Sequence, residues 1–215
     1  SGDFLNYLGT SRMDAIRRVL YGGMRAEDTA SRTVLQTAYI PRDAHSWGKA
    51  YDPARDAKVY SISDYAPLRP PAVGTRHLFA VTTLGEAAGV ITQLRVLNDS
   101  SFQIWDWVSQ EGFAGQSNCA GGNSCARASS RITDYNLLVE ACSSSNVQLL
   151  EASCKAYPNG GKTIYKPTGL LHDFGENGKM YFGLLTGSYE KNIAGGVQRR
   201  NIGNFAEEVD PQTGQ

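Results

Sequence analysis

The sequence predicts an α/β fold, and three observations carry that expectation. The first is the stretch Tyr165–Ile202, which reads as helix, turn, strand and glycine-studded loop. Pro167 suits a first helical position, Gly169–Phe174 gives a short amphipathic helix, and Glu176-Asn177-Gly178-Lys179 signals a turn. The run Met180–Leu185 (MYFGLL) is short, nearly continuously apolar and bounded by turns, the pattern of a strand covered on both faces. A helix feeding a doubly covered strand is the unit of an α/β sheet. The second observation is a helix from Ser11 to Leu20. Ser11-Arg12-Met13-Asp14 has the form of a capping box, and Met13, Ile16, Val19 and Leu20 share a face from which Asp14, Arg17 and Arg18 are excluded. Gly22-Gly23 stops it, since glycine accepts the left-handed backbone just past a last turn. The third is a set of β-rich runs between these two elements.

Those runs are Thr33–Ile40 (TVLQTAYI), ended by Pro41-Arg42-Asp43, and His77–Thr83 (HLFAVTT). Gln93–Leu97 and Ser101–Val108 (SFQIWDWV) flank Asn98-Asp99-Ser100 and suggest an antiparallel hairpin. Asp134–Cys142 resumes as a strand, and Ser143–Asn146 turns the chain. Between residues 44 and 74 four prolines (Pro53, Pro67, Pro70, Pro71) interrupt a polar stretch, read as a long surface loop with Val59–Ile62 its one strand candidate. Residues 112–131 (GFAGQSNCAGGNSCARASSR) lack large apolar groups and read as a flexible insertion. The tail Glu207–Gln215 is polar and expected to fray. The whole reads as one domain over residues 1–215, or a fragment of one.

Composition narrows the function classes. With 215 residues, 41% hydrophobic and 20% charged, the chain can build its own core. Lys+Arg and Asp+Glu both number 21, and that balance argues against a dedicated nucleic-acid or anionic-membrane binder. No apolar run approaches the roughly 20 residues of a membrane span. The chain opens at Ser1 without an initiator Met, as a processed product or an excised piece would.

The cysteines are Cys119, Cys125, Cys142 and Cys154. None has C-x-x-C spacing, and His45, His77 and His172 lie far from them in sequence, which argues against zinc. Cys119–Cys125 with Cys142–Cys154 is the simplest of three possible pairings; the alternative is four reduced thiols. Disulfides would put the protein in an oxidising compartment. No catalytic set stands out. A Cys-His hydrolase would need a free thiol, no D-x-[DN]-x-[DN]-G calcium loop occurs, and the glycines at 183, 187, 195 and 196 do not form G-x-x-x-x-G-K-[ST]. Asp99-Ser100-Ser101 and Asp210 read as turn formers. Lys191, Arg199 and Arg200 make a small basic cluster read as a solvated face. Trp47, Trp105 and Trp107 are candidates for a sugar-stacking or protein-binding surface as well as for the core.

Several blocks nevertheless resemble a family. Gly2–Gly23, Pro41–Lys49 (PRDAHSWGK), Thr75–Thr83 (TRHLFAVTT), Leu94–Ser109 and Tyr165–Ile202 are similar, in order, to the N-terminal region of PilC/PilY-type proteins, the tip-associated adhesins of bacterial type IV pili. The resemblance implies a von Willebrand factor A-like, doubly wound sheet, here with an antiparallel hairpin and long loop insertions. It also implies a non-enzymatic, exported protein at the pilus tip, acting in pilus assembly with minor pilins, in adhesion to host or abiotic surfaces and in twitching motility. The D-x-S-x-S metal loop of an A-domain does not occur, so no metal ligand and no cofactor carry over to this chain. The alternative function is a secreted carbohydrate-binding module using the tryptophans.

Overall fold

A computed structural model describes residues 2–38, 48–82, 90–104, 107, 131–190 and 193–215. The chain divides into two compact units, Ser1–Ser11 with Gln36–Leu138, and Arg12–Leu35 with Val139–Gln215. Each is built on small antiparallel sheets.

The first unit is organised by β4 (Arg76–Thr82), the HLFAV run that reads as a strand in the sequence. It lies between β3 (Gly48–Tyr51) and β5 (Gln93–Ser100), and β5 pairs in turn with β6 (Ile132–Asn136), giving the order β3-β4-β5-β6. Successive side chains of a strand point to opposite faces. Phe79 and Val81, opposite Val96 and Leu94, accordingly pack with Leu8, Tyr51, Ile62 and Leu137 on one face. Leu78, opposite Leu97, packs with Ala80 and Trp107 on the other. Helix α1 (Gly2–Gly9) brings Phe4, Leu5 and Leu8 to the first face. The sheet is thus covered on both sides although every pairing in it is antiparallel.

The second unit contains helix α2 (Arg12–Tyr21) and three small sheets. Strand β2 (Thr33–Gln36) lies between β1 (Arg25–Asp28) and β7 (Leu138–Ala141); β8 (Cys154–Asn159) pairs with β9 (Lys162–Pro167), and β10 (Tyr181–Glu190) with β11 (Ile193–Asn204). Between β9 and β10 sits the short helix Leu170–Gly175, where the sequence predicts one. Helix α2 stops at Gly22-Gly23 as expected. Gly22 holds φ +84°, its amide donates to the Arg18 carbonyl at 3.1 Å, and a Cβ there would strike the Pro167 carbonyl.

The doubly wound, von Willebrand factor A-like sheet is not what forms. The four sheets are small and antiparallel, and no parallel sheet occurs among the described strands. The misleading element is Met180–Leu185. It does lie largely in a strand, but among the described strands β10 pairs only with its own hairpin partner, and Leu184 and Leu185 are exposed rather than covered. Two register shifts, between Phe182/Leu184 and Leu184/Leu185, break the alternation that would sort its side chains onto two faces.

Other expectations are corrected too. Pro167 ends β9 instead of starting a helix. Asn98-Asp99 is no hairpin turn, because β5 runs through it to Ser100 and pairs with β4 and β6; Ile104 and Trp107 have helical backbone. Val59–Ile62 forms no strand, whereas Gly48–Tyr51, inside the expected loop, does. Helix α2 has the predicted span but exposes Met13, Ile16 and Val19, and its partly buried positions are Asp14, Arg17, Arg18 and Tyr21. On that side the Arg18 guanidinium pairs with Glu151 and donates to Ser153 Oγ at 2.8 Å.

Candidate functional site

The densest polar centre of the described chain is in the second unit, and it is interior. Strand β9 has the burial rhythm of a half-covered strand, with Ile164 and Lys166 both inward. Lys166 is only 1% exposed. An ammonium that deep must satisfy its three donors, and it does. They go to Asp28 Oδ1 at 2.5 Å, the Thr29 carbonyl and Thr33 Oγ1 at 3.0 Å. Asp28 is shared: Arg25 Nη1 donates to its other oxygen at 2.5 Å, and Thr33 Oγ1 to Oδ1 at 3.1 Å. Burial alone would raise the Asp28 pKa, but the hydrogen bonds and charges of Lys166 and Arg25 outweigh it and hold the carboxyl below its ordinary value.

Arg25 extends the knot. It donates to the carbonyls of Gly214 and of Pro167, the latter at 3.0 Å, and its Nη2 lies 3.5 Å from His172 Nε2. His172, 1% exposed, accepts at Nδ1 from the Gly169 amide at 3.2 Å, the reach-back half of a capping box. With Nδ1 accepting, a neutral ring carries its proton on Nε2 and meets Arg25 as a neighbouring cation. Burial first, and the Arg25 charge second, lower the His172 pKa to about 4. The ring stacks edge-on against Phe205 at 4.9 Å.

A second carboxylate, Glu176, accepts from Lys155 Nζ and from the Tyr157 hydroxyl. Burial, then the bond to Glu176, push the Tyr157 pKa upward. The expected fraying of the tail does not occur here. Asp210 accepts from the Gln212 amide at 2.8 Å and from Thr213 Oγ1 at 3.0 Å, and Gly214, at φ +68°, lies flat on Tyr157. A Cβ on Gly214 would sit 2.6 Å from Tyr157 Cε2, so glycine is required on steric and conformational grounds.

Chemically this centre holds rather than reacts. Its cations and carboxylates are paired with one another, its histidine is buried neutral, and the nearby thiols are bonded as Cys142–Cys154 with Cα atoms 5.4 Å apart. That disulfide joins the end of β7 to the start of β8, as the simplest pairing predicts. Cys119, Cys125, His45, Trp47, Trp105, Lys191 and all of the insertion except Arg131 lie outside the described residues.

The remaining candidates have structural roles. His77 is 1% exposed; its Nε2 donates to the Arg69 carbonyl at 2.8 Å and its Nδ1 accepts from the Asp99 amide. Asp99, at φ 49°, accepts from the Ala72 amide at 3.0 Å and pairs with Arg69. It lies within strand β5 and not in a turn as expected, and from there it fastens the segment around Pro70-Pro71. Trp107 is 2% exposed and unavailable for sugar stacking. Arg199 and Arg200 are exposed, and Arg200 pairs with Glu207 and Glu208. Among the described residues, no group of three or more His, Cys, Asp and Glu could hold a metal ion, and no helix is long and apolar enough to cross a membrane.

Arg25, Asp28 and Lys166 were not legible as a set. The one local signal is Lys166, two residues beyond Ile164 and hence on the same inward face of a strand. Its partner Asp28 is 138 residues away.

A small α/β chain of antiparallel sheets, fastened by a disulfide and a buried ionic knot, is the class these features define. One family model, described as "PilY1 homolog, small alpha/beta domain", matches residues 1–97; another, "PilY1 homolog, second domain", matches residues 182–215. Two curated proteins of Xylella fastidiosa (strain Temecula1 / ATCC 700964), each described as a type IV pilus biogenesis factor PilY1 homolog, are similar to it. One is 55% identical over the whole of this chain and the other 29% identical over 81% of it. The chain belongs to the PilY1-homolog family. It spans 14% and 12% of the lengths of those two relatives. None of the solved structures matches it.

Proposed function

We propose that this chain is a non-enzymatic segment of a type IV pilus biogenesis factor, exported through the periplasm to the cell surface. The observation that carries the reading is the 55% identity, sustained over the whole chain, to a protein described in those words. Two features of the chain support it. A disulfide between Cys142 and Cys154 suits an oxidising compartment. The buried Lys166 with the half-buried Asp28 and Arg25, and the half-buried Glu176 with Lys155, are engaged in a way that suits a rigid assembly element. In this reading the segment acts at the pilus tip, with minor pilins as assembly partners and a host or abiotic surface as the ligand, in adhesion and twitching motility.

The test is an in-frame removal of residues 1–215 from the gene in its own bacterium, with the remaining protein followed by immunoblot of the surface fraction. Loss of surface pili and of twitching, with the remainder still exported, is the expected result. Normal piliation and twitching in that strain would contradict the proposal.

A further inference from the structure

The β10–β11 hairpin has strands of ten and twelve residues, and most of its described side chains are exposed. Its base is anchored: Phe182 is half-buried, its ring 6.4 Å from that of the buried Phe205. Beyond the base, Leu184 is 54%, Leu185 73% and Ile202 76% exposed, and every described side chain of β11 from Gly195 to Ile202 is exposed. A two-stranded hairpin with neither face covered is marginal in water at best, whatever its length. Among the described strands none pairs with either of its outer edges. Strand β10, YFGLLTGSYE, has no proline or lysine and a single charge, Glu190, whereas edge strands left in solvent normally carry such blocking residues.

Two independent observations say what covers it. The family match described as a second domain spans residues 182–215, so that it opens on β10. The relative that is 55% identical over this entire chain is matched over only 14% of its own length, which leaves ample polypeptide to supply further strands. We propose that β10 and β11 are the first two strands of a larger sheet, and that second-domain strands outside residues 1–215 add to the free edge of β10 and cover Leu184, Leu185 and Ile202. The hairpin is then the joint through which this segment is rigidly coupled to the next domain. Main-chain hydrogen bonds supply the pairing, and the exposed leucines and isoleucine supply the apolar face, as in other strand additions.

Hydrogen exchange tests this on two proteins, residues 1–215 and the same chain extended through the whole downstream reading frame. Amides of residues 183–188 should exchange on the order of tenfold more slowly in the longer protein. The β8–β9 hairpin serves as an internal control and should exchange alike in both. Leu185→Glu in the longer protein should return residues 183–188 to the fast rate while β8–β9 stays protected. Equal, fast exchange in both proteins would overturn the proposal. So would protection in residues 1–215 alone that rises with concentration, which would identify a second copy as the occupant, or a reading frame that stops at Gln215. None of these outcomes bears on piliation, so the proposed function stands or falls separately.

Discussion

The two units solve the same problem with different materials. The first has a four-stranded sheet and buries apolar side chains on both faces: Phe79, Val81, Leu94 and Val96 on one side, Leu78, Leu97 and Trp107 on the other. The second has sheets of three, two and two strands. Its interior holds Lys166, Asp28, Arg25 and His172 with a disulfide beside them. Sheets that small cannot enclose much apolar area, and small cores characteristically lean on covalent links and buried polar networks. The difference teaches that charge burial in the second unit is a consequence of its topology: an interior between short sheets is polar because several chain segments meet there through their backbones.

The largest expected effect comes from removing one member of the knot. Lys166→Ala leaves the half-buried Asp28 with Arg25 as its one remaining cation, a loss of up to about 3–5 kcal/mol for a pair of this kind. Urea unfolding read by NMR should show the second unit melting early while resonances of β4 and β5 keep their midpoint. The converse break is Leu94→Ala in the first unit, where the side chain is 0% exposed. A cavity there costs about 2–5 kcal/mol, and the β4–β5 resonances should now be the early ones. A smaller effect follows from opening Cys142–Cys154. The two cysteines are separated by 12 residues, and a closed loop of that size contributes about 2–3 kcal/mol on the chain-entropy account. Cys142→Ser with Cys154→Ser should lower the second unit's midpoint selectively. A parallel loss in both units would remove the distinction drawn between them.

The sequence disclosed what is encoded within a few residues of itself. Helix α2, its stop at Gly22-Gly23, the HLFAV strand, the short helix after Gly169 and the local disulfide all depend on near neighbours. What it concealed depends on distant partners. MYFGLL has the composition of a doubly buried strand, and only pairing shows that β4 has that role while β10 lies open. Helix α2 has an apolar stripe, yet its Arg18 side is the half-buried one and meets Glu151 and Ser153, more than a hundred positions on. The knot itself joins strands from opposite ends of the chain, so no window of local pattern contains both Lys166 and Asp28.

His172 offers the most direct test that buried polar contacts hold the second unit. Its folded pKa, about 4, lies below the ordinary 6.5, so the folded state binds fewer protons than the unfolded one between those values. The stability this gives is present above the unfolded pKa and is lost as pH falls toward the folded one. Between pH 7 and pH 5 the loss amounts to about 2 kcal/mol, while Asp28, held low, stays ionised. The decisive measurement is therefore urea unfolding of the second unit at pH 7 and pH 5, for the natural chain and for His172→Gln. A drop of about 2 kcal/mol in the natural chain that is absent from His172→Gln is the predicted result. An equal pH dependence in both proteins would contradict it.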